Sequence, residues 1–439
     1  MHCGYIVEVK ELKPHSNADK LQIATFFGND TCVGLNVQIG DKGIYFPSDL
    51  QLSEEFCENN HLCRKRKDGS PDTGYMDPNK RNVQAIRLRG EKSDGLFLHL
   101  SCLEYTKANL NDLKQGDRIS VLNGYEICRK YIPTKPSVSN NNVKKGNKVR
   151  KKKVAIAPLF LEHADTEQLA YNLDVFNPGD QIEMTLKMHG TSQRTGYLPV
   201  FKGYQRTLLD RILHREGTPI YDWGYVSGTR RTILENYDGG YYGDNSFREE
   251  HSKVFEEKLW KGETVYYEVV GYTKNGNTIM GKANNKKLND KEFVKKYGNE
   301  TIFSYGCEPG ESDMYVYRMT MTNEDGQEVE YTPEFMRYRC EQMGVKTVPV
   351  LWKGIIPENP ASKTDDTIDH GEWVKNVAEC FYEGPDPIGK IHIREGVVVR
   401  IVNRPKFTAY KHKNFEFKVL ENIIKINADA PDMEEAESV

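Results

Sequence analysis

The stretch EMTLKMHGTS, residues 183–192, decides how the rest of the chain is read. With Ile182 before it, apolar and polar residues alternate up to Leu186, the period of a β-strand. Ile182, Met184 and Leu186 share one face. Glu183, Thr185 and Lys187 share the other. The strand then ends in Lys187, His189 and Gly190. A lone lysine at a strand end is usually solvated, so the segment gains meaning only from what accompanies it.

The chain has 439 residues, enough for two or three domains and a large core. Its composition, 38% hydrophobic and 28% charged, is that of a soluble globular protein. A formal net charge of −3 gives no bulk attraction to nucleic acid, so any basic surface is local. No apolar run reaches the length of a membrane span, and the N-terminus does not read as a signal peptide. Nine scattered cysteines fit a reducing cytoplasm better than a disulfide scaffold. Cys57, His61 and Cys63 lack a second ligand pair at zinc-site spacing, so this segment reads as a loop with free thiols.

Residues 1–135 read as short β-strands separated by Gly, Asp and Asn. That pattern suggests a small barrel, with an OB-fold among the candidates. In VQAIRLRG, Arg87 and Arg89 share a strand face. They are either phosphate contacts or ordinary surface charge. Residues 136–156 form a basic linker. Its segment KKGNKVRKKK carries seven positive charges and no acid, with Lys151 and Lys152 near its end. It reads as a solvated connector or as an arm touching phosphates. Residues 157–427 form a second domain of many strands and fewer helices without strict βαβ order. The expectation is α+β with largely antiparallel sheets and flanking helices. Helical spacing marks SFREEHSKVFEEKLW, TPEFMRYRCEQMG and GEWVKNVAECFYEG. Residues 428–439 are acidic and expected to be disordered.

Within the second domain, five segments carry ionisable groups in ordered succession. They are Lys187-Met-His-Gly-Thr-Ser192, SGTRRTIL with Arg230 and Arg231, YYEVVG with Glu268, Glu395-Gly-Val-Val-Val-Arg400, and Lys411-His-Lys413. Each has a plain structural reading. A Glu in a valine-rich strand can pair with an Arg, and K-x-K on an edge strand guards against aggregation. Chance explains the ordered set of five poorly.

That set resembles the covalent nucleotidyltransferases, namely polynucleotide ligases and mRNA capping enzymes. Their collinear motifs are K-x-D/H-G, an Arg-bearing motif, an aromatic/Glu strand ending in Gly, E-G-h-h-h-K/R and K-x-K. His189 stands where most DNA ligases and capping enzymes have Asp, and K-x-H-G-T-N/S is an RNA-ligase form. The chain ends soon after Lys413, where those enzymes continue into a further OB domain. An OB-like domain ahead of the nucleotidyltransferase resembles the fifth RNA ligase family.

The resemblance implies an ATP-dependent RNA ligase that seals 3′-OH and 5′-phosphate ends, acting as a cytoplasmic monomer on RNA or a nicked duplex containing RNA. Lys187 would be the nucleophile, and it must lose its proton to attack. Glu268 and Glu395 would hold Mg²⁺ or Mn²⁺, and Glu268 can also hold the ribose. Lys411 and Lys413 would neutralise phosphate charge. Arg230 or Arg231 would grip nucleotide or a 5′-phosphate. Leu186, His189, Gly190 and Ser192 would border ATP. Tyr317, chosen over Tyr315, would stack on the adenine or else belong to the core. The alternatives are a DNA ligase, a GTP-dependent capping guanylyltransferase, and a non-catalytic RNA-binding protein.

Overall fold

The computed structural model describes residues 2–66, 68–132, 154–213, 215–237, 242, 245–362 and 367–426. Lys151, Lys152, most of the basic linker and the acidic tail lie outside the described residues. The chain divides into two compact units, and the division does not follow linear boundaries. One unit comprises Met1–Thr134, Ala283–Thr301 and Asn414–Asp432. The other comprises Lys135–Lys282, Ile302–Lys413 and Met433–Val439.

The first unit is built of short antiparallel strands. Arg118–Ile119, Gly4–Glu8, Lys42–Phe46 and Leu96–His99 form a four-stranded sheet in that order. Leu12–Pro14, Leu21–Phe26 and Asn29–Gly34 form a separate three-stranded sheet. Among the described residues these pairings do not close into one hydrogen-bonded barrel. The core holds Ile6, Ile44, Phe46, Leu52, Phe56 and Leu103.

Two distant pieces of chain complete this unit. The helix Phe415–Ile426 has buried Phe417, Leu420 and Ile424 at helical spacing. Asn422 Nδ2 donates to the Ala85 carbonyl at 3.1 Å. Lys418 Nζ lies 2.5 Å from Asp94. Arg87 is paired with Glu416 and stands 3.6 Å from Asp290. Arg87 is thus engaged in ion pairs within its own unit. Burying apolar helix surface while pairing its charges fixes this docking.

In the second unit, one sheet has the order Glu167–Gln168, Thr408–Lys413, Gly396–Ile401, Gln181–Leu186, Val350–Ile355. Only its first pair is parallel. The other sheet runs Thr218–Gly228, Thr191–Gln205, Glu263–Gly271, Ser312–Thr322, Glu328–Glu330, all antiparallel, with Lys346–Thr347 added parallel to Ser312–Thr322. Ile182, Met184, Val397, Val399 and Ile401 form an apolar core with Val374 and Ala378 of the helix His370–Glu379. This is the α+β architecture expected from the strand pattern.

The helices follow their local signals. Pro333–Met343 begins at the Thr332 cap with proline in its first turn and stops at left-handed Gly344. Ser246–Lys253 is shorter than its apolar pattern suggests, and Glu257 beyond it adopts a left-handed φ of 62°. All nine cysteines are free. Among the described residues no helix is long and apolar enough to cross a membrane.

Candidate active site

Lys187–Gly190 is the corner where the chain passes from one sheet to the other. Gln181–Leu186 belongs to the first sheet and Thr191–Gln205 to the second. The Lys187 amide donates to the Gly396 carbonyl at 3.0 Å, pinning the corner to the neighbouring strand. Gly190 is required by close approach. A Cβ there would lie 2.5 Å from the Val269 carbonyl oxygen and 2.8 Å from Val270. Gly396 has φ +150°, and a Cβ there would meet the His412 carbonyl at 2.1 Å. The two glycines thus let the strands bearing Lys187 and Glu395 converge.

The convergence produces a dense charge cluster. Lys187 Nζ lies 2.7 Å from Glu395 Oε1, and Lys413 Nζ lies 3.4 Å from the same oxygen. His189 Nδ1 is 3.6 Å from Oε2. Glu395 is only 2% exposed. Its burial raises the carboxyl pKa, but Lys187, then Lys413 and His189, outweigh burial and hold it well below the ordinary carboxylate range. Glu395 is therefore an anion shared among nitrogen donors and too weak a base to take a proton near neutrality.

A cleft opens beside Lys187. Lys187, Leu186, Arg230, Glu268 and Tyr317 line it. Leu186 itself is 1% exposed and shares the strand face of Ile182 and Met184, so its contribution to the cleft wall is small. Thr185, Val398 and Lys411 are cross-strand neighbours, which places Lys411 on the same sheet face as two lining residues.

The second sheet supplies the opposite wall. Ser192 lies opposite Glu268 in the ladder. The Ser192 hydroxyl is 3.1 Å from the Tyr317 hydroxyl. Pairing shifts between Tyr266–Arg318 and Tyr267–Val316, leaving Tyr317 as the extra residue of a bulge. The bulge re-aims this strand, and Tyr317 enters the cleft. Tyr315 instead donates to Asp313 at 2.9 Å and lines a separate cavity with Cys307 and Glu311. The adjacent arginines also divide. Arg230 lines the cleft and pairs with Asp165 at 2.9 Å, whereas half-exposed Arg231 reaches Asp165 at 3.2 Å from outside the lining. Arg89, in the other unit, donates to the Asn17 carbonyl at 3.3 Å.

Several participants carry no sequence motif. The His189 amide donates to the Tyr305 hydroxyl at 2.7 Å, and the His189 ring stands edge-on to Phe303 at 4.6 Å. Burial pushes the Tyr305 phenol well above its usual range, so it remains neutral. His392 packs on Tyr305 at 4.4 Å. Asp386 accepts backbone hydrogen bonds from Ile388, Gly389 and Ile391 and so ties the loop that carries His392. On the cleft wall, His163 packs against Tyr317 at 5.2 Å and Phe407 at 5.6 Å. Burial first, then Arg230, Arg318 and Arg194, lowers its pKa well below the usual value. Neutral His163 can thus accept from Arg318 at 3.4 Å. These residues come from irregular segments whose proximity only the tertiary fold creates.

The same fold is found in solved structures. A point mutant of Naegleria gruberi RNA ligase with AMP and Mn aligns over 95% of this chain and 98% of its own, at 16% identity and TM-score 0.55. The fold is that of an RNA ligase. The same ligase with PPi aligns over 95% and 98%, at 16% identity and TM-score 0.54. Another point mutant, with ATP and Mn, aligns over 98% and 100%, at 16% identity and TM-score 0.54. No protein-family model matches the chain, and no curated protein matches it by sequence.

Proposed function

We propose that this protein is an ATP-dependent RNA ligase that joins 3′-OH and 5′-phosphate ends through a lysyl-adenylate. The observation that carries the reading is the cluster at the cleft wall, with Lys187 2.7 Å from buried Glu395 and flanked by Lys413 and His189. The full-length fold match supports it.

The Lys187 amine attacks the α-phosphate of ATP. A P–N bond forms, the P–O bond to pyrophosphate breaks, and the proton of the amine passes to solvent water. Glu395 is a poor acceptor for that proton because its carboxyl is held so acidic. The Lys187–Glu395 pair thus places the amine 2.7 Å from a carboxylate that does not take up a proton near neutrality. Glu395 and Glu268 offer hard oxygen donors to Mg²⁺ or Mn²⁺. Either carboxylate would bind such a cation together with water and substrate phosphates. Such an ion supplies positive charge that stabilises the neutral amine and the transferring phosphate. Lys411, Lys413 and Arg230 add fixed positive charge around the phosphates, and Tyr317 offers an aromatic face to the base.

AMP then passes to a 5′-phosphate, exchanging the P–N bond for a P–O–P bond. A 3′-OH finally attacks that phosphate and displaces AMP. The N-terminal unit is assigned the role of an OB-type RNA-binding domain, with the basic linker as its extension, and the substrate is a nicked duplex containing RNA bound by a monomer. Intact mass after incubation with ATP and Mg²⁺ or Mn²⁺ tests the reading. Wild type gains one AMP and Lys187→Ala gains none. Absence of the adduct with either metal, in protein free of prior adenylation, overturns it. Guanylate transfer in place of adenylate would favour a capping enzyme.

A further inference from the structure

Ala283–Thr301 is a small module within the N-terminal unit. It consists of paired strands Ala283–Asn284 and Glu300–Thr301, a 3₁₀ turn Asn285–Leu288 and a helix Lys291–Tyr297. Its inner face is fixed. Ala283, Asn285, Leu288, Phe293 and Thr301 are buried. The Asn285 side chain donates to the Gly298 carbonyl at 2.9 Å and accepts from the Thr301 hydroxyl at 2.8 Å.

The outer face is different. Lys286, Lys287, Lys291, Lys295 and Lys296 are all exposed. Three carboxylates share the module, Asp290, Glu292 and Glu300. Asp290 is already used, capping the helix through the Phe293 amide at 3.0 Å and facing Arg87 at 3.6 Å. Glu292 precedes Lys296 by four residues, which gives that lysine an ordinary helical partner. Among the described residues no carboxylate pairs with Lys286, Lys291 or Lys295. Lys291 stands at the first helical position, where the helix dipole disfavours a cation. It also stacks four residues before Lys295, a like-charge repeat that opposes helix formation. Lys291 is unfavourably placed on the helix, whereas Lys295 lies in its last turn, where the dipole favours a cation. The N-terminal stretch that the module packs with is electrically balanced: residues 1–134 contain 18 Lys and Arg against 18 Asp and Glu. The helix Phe415–Ile426 contains two lysines and two glutamates. The module itself carries five lysines against three carboxylates, a local net charge of +2.

We propose that the exposed lysine face of Ala283–Thr301 is a docking surface for the phosphodiester backbone of RNA. The proposal rests on the ligase reading for its choice of polyanion, and it assigns RNA binding to a segment distinct from both the linker and the strand carrying Arg87. The fixed inner face holds the lysines on one scaffold, and ammonium groups engage phosphates without reading sequence.

The test compares wild type, a variant with Lys286, Lys287, Lys291 and Lys295 all changed to Gln, and one with the same four changed to Arg. Binding to a nicked RNA duplex is measured across a salt series, and AMP uptake from ATP is measured separately. The Gln variant is expected to show a log affinity versus log salt slope shallower by about 0.7–0.9 for each phosphate it no longer neutralises, and roughly tenfold or weaker binding near ~0.1 M salt. The Arg variant keeps the wild-type slope, and AMP uptake is equal in all three. An unchanged slope and affinity in the Gln variant would overturn the proposal. A wild type that takes up no AMP would refute the ligase reading instead, while the salt slope still decides the role of the module.

Discussion

Replacing Glu395 by Gln keeps the side chain's size and removes the charge on which three nitrogen donors converge. Lys187 is 19% exposed and Lys413 is 9% exposed, so neither cation is well hydrated once the carboxylate is gone. Removing one partner of a buried ion pair costs about 3–5 kcal/mol, mostly from the unpaired charge left behind. Urea unfolding should therefore show Glu395→Gln less stable than wild type by an amount of that order. The pH dependence carries a sign. The Glu395 carboxyl has a folded pKa held well below the unfolded value of about 4.3, so its contribution is fully present above that value. It is lost as pH falls through the depressed folded pKa. The gap between wild type and Glu395→Gln should stay constant from about pH 5 to 8 and narrow only in stronger acid. Adding Lys413→Met to Glu395→Gln should restore part of the loss, because it removes one stranded cation. Equal unfolding midpoints for wild type and Glu395→Gln, or additive losses in the double variant, would refute this account of the cluster.

Arg230→Ala should lower AMP uptake by about tenfold or more while Arg231→Ala leaves it near wild type, read by labelled ATP, because only Arg230 lines the cleft. His189→Ala should change the pH profile of AMP uptake, since its ring stands 3.6 Å from Glu395; superimposable profiles would remove His189 from proton handling. Arg87→Ala should destabilise the N-terminal unit by about 1.5–3 kcal/mol in urea unfolding, the scale of lost hydrogen bonds to charged groups, because Glu416 and Asp290 lose their cation.

Much of the site is legible in one dimension because strand parity and short motifs are local. Lys187, His189, Glu395 and Lys413 all stand in such motifs, and the fold brings the two lysines and the histidine within 3.6 Å of the one carboxylate. Tyr317 is a harder case. Its entry into the cleft depends on a bulge, and no residue in MYVYRM announces where a ladder will slip. His163, Tyr305 and His392 belong to irregular segments, where no periodicity marks a partner. Arg87 looks like a surface cation in the sequence because its carboxylate lies 329 residues away. The same distance hides the composite N-terminal unit, whose linear segment looks self-sufficient until the closing helix is seen. Strand content is legible because it is local, but barrel closure depends on edge pairings set by the whole unit.

The composite unit also constrains the order of events at the ribosome. Asn414 follows Thr134 by 280 residues. At about 5–20 residues per second, the N-terminal segment emerges roughly 14–56 s before the helix that covers Ala85, Arg87 and Asp94 is made. Until then those strands lack their closing partner, and the segment is exposed to chaperones and to pairing with other nascent chains. A recombinant fragment ending near residue 134 would carry the same unfinished surface permanently. Supplying Asn414–Asp432 and Ala283–Thr301 on the same polypeptide, by rewiring the connections, is the route to an isolated unit that folds.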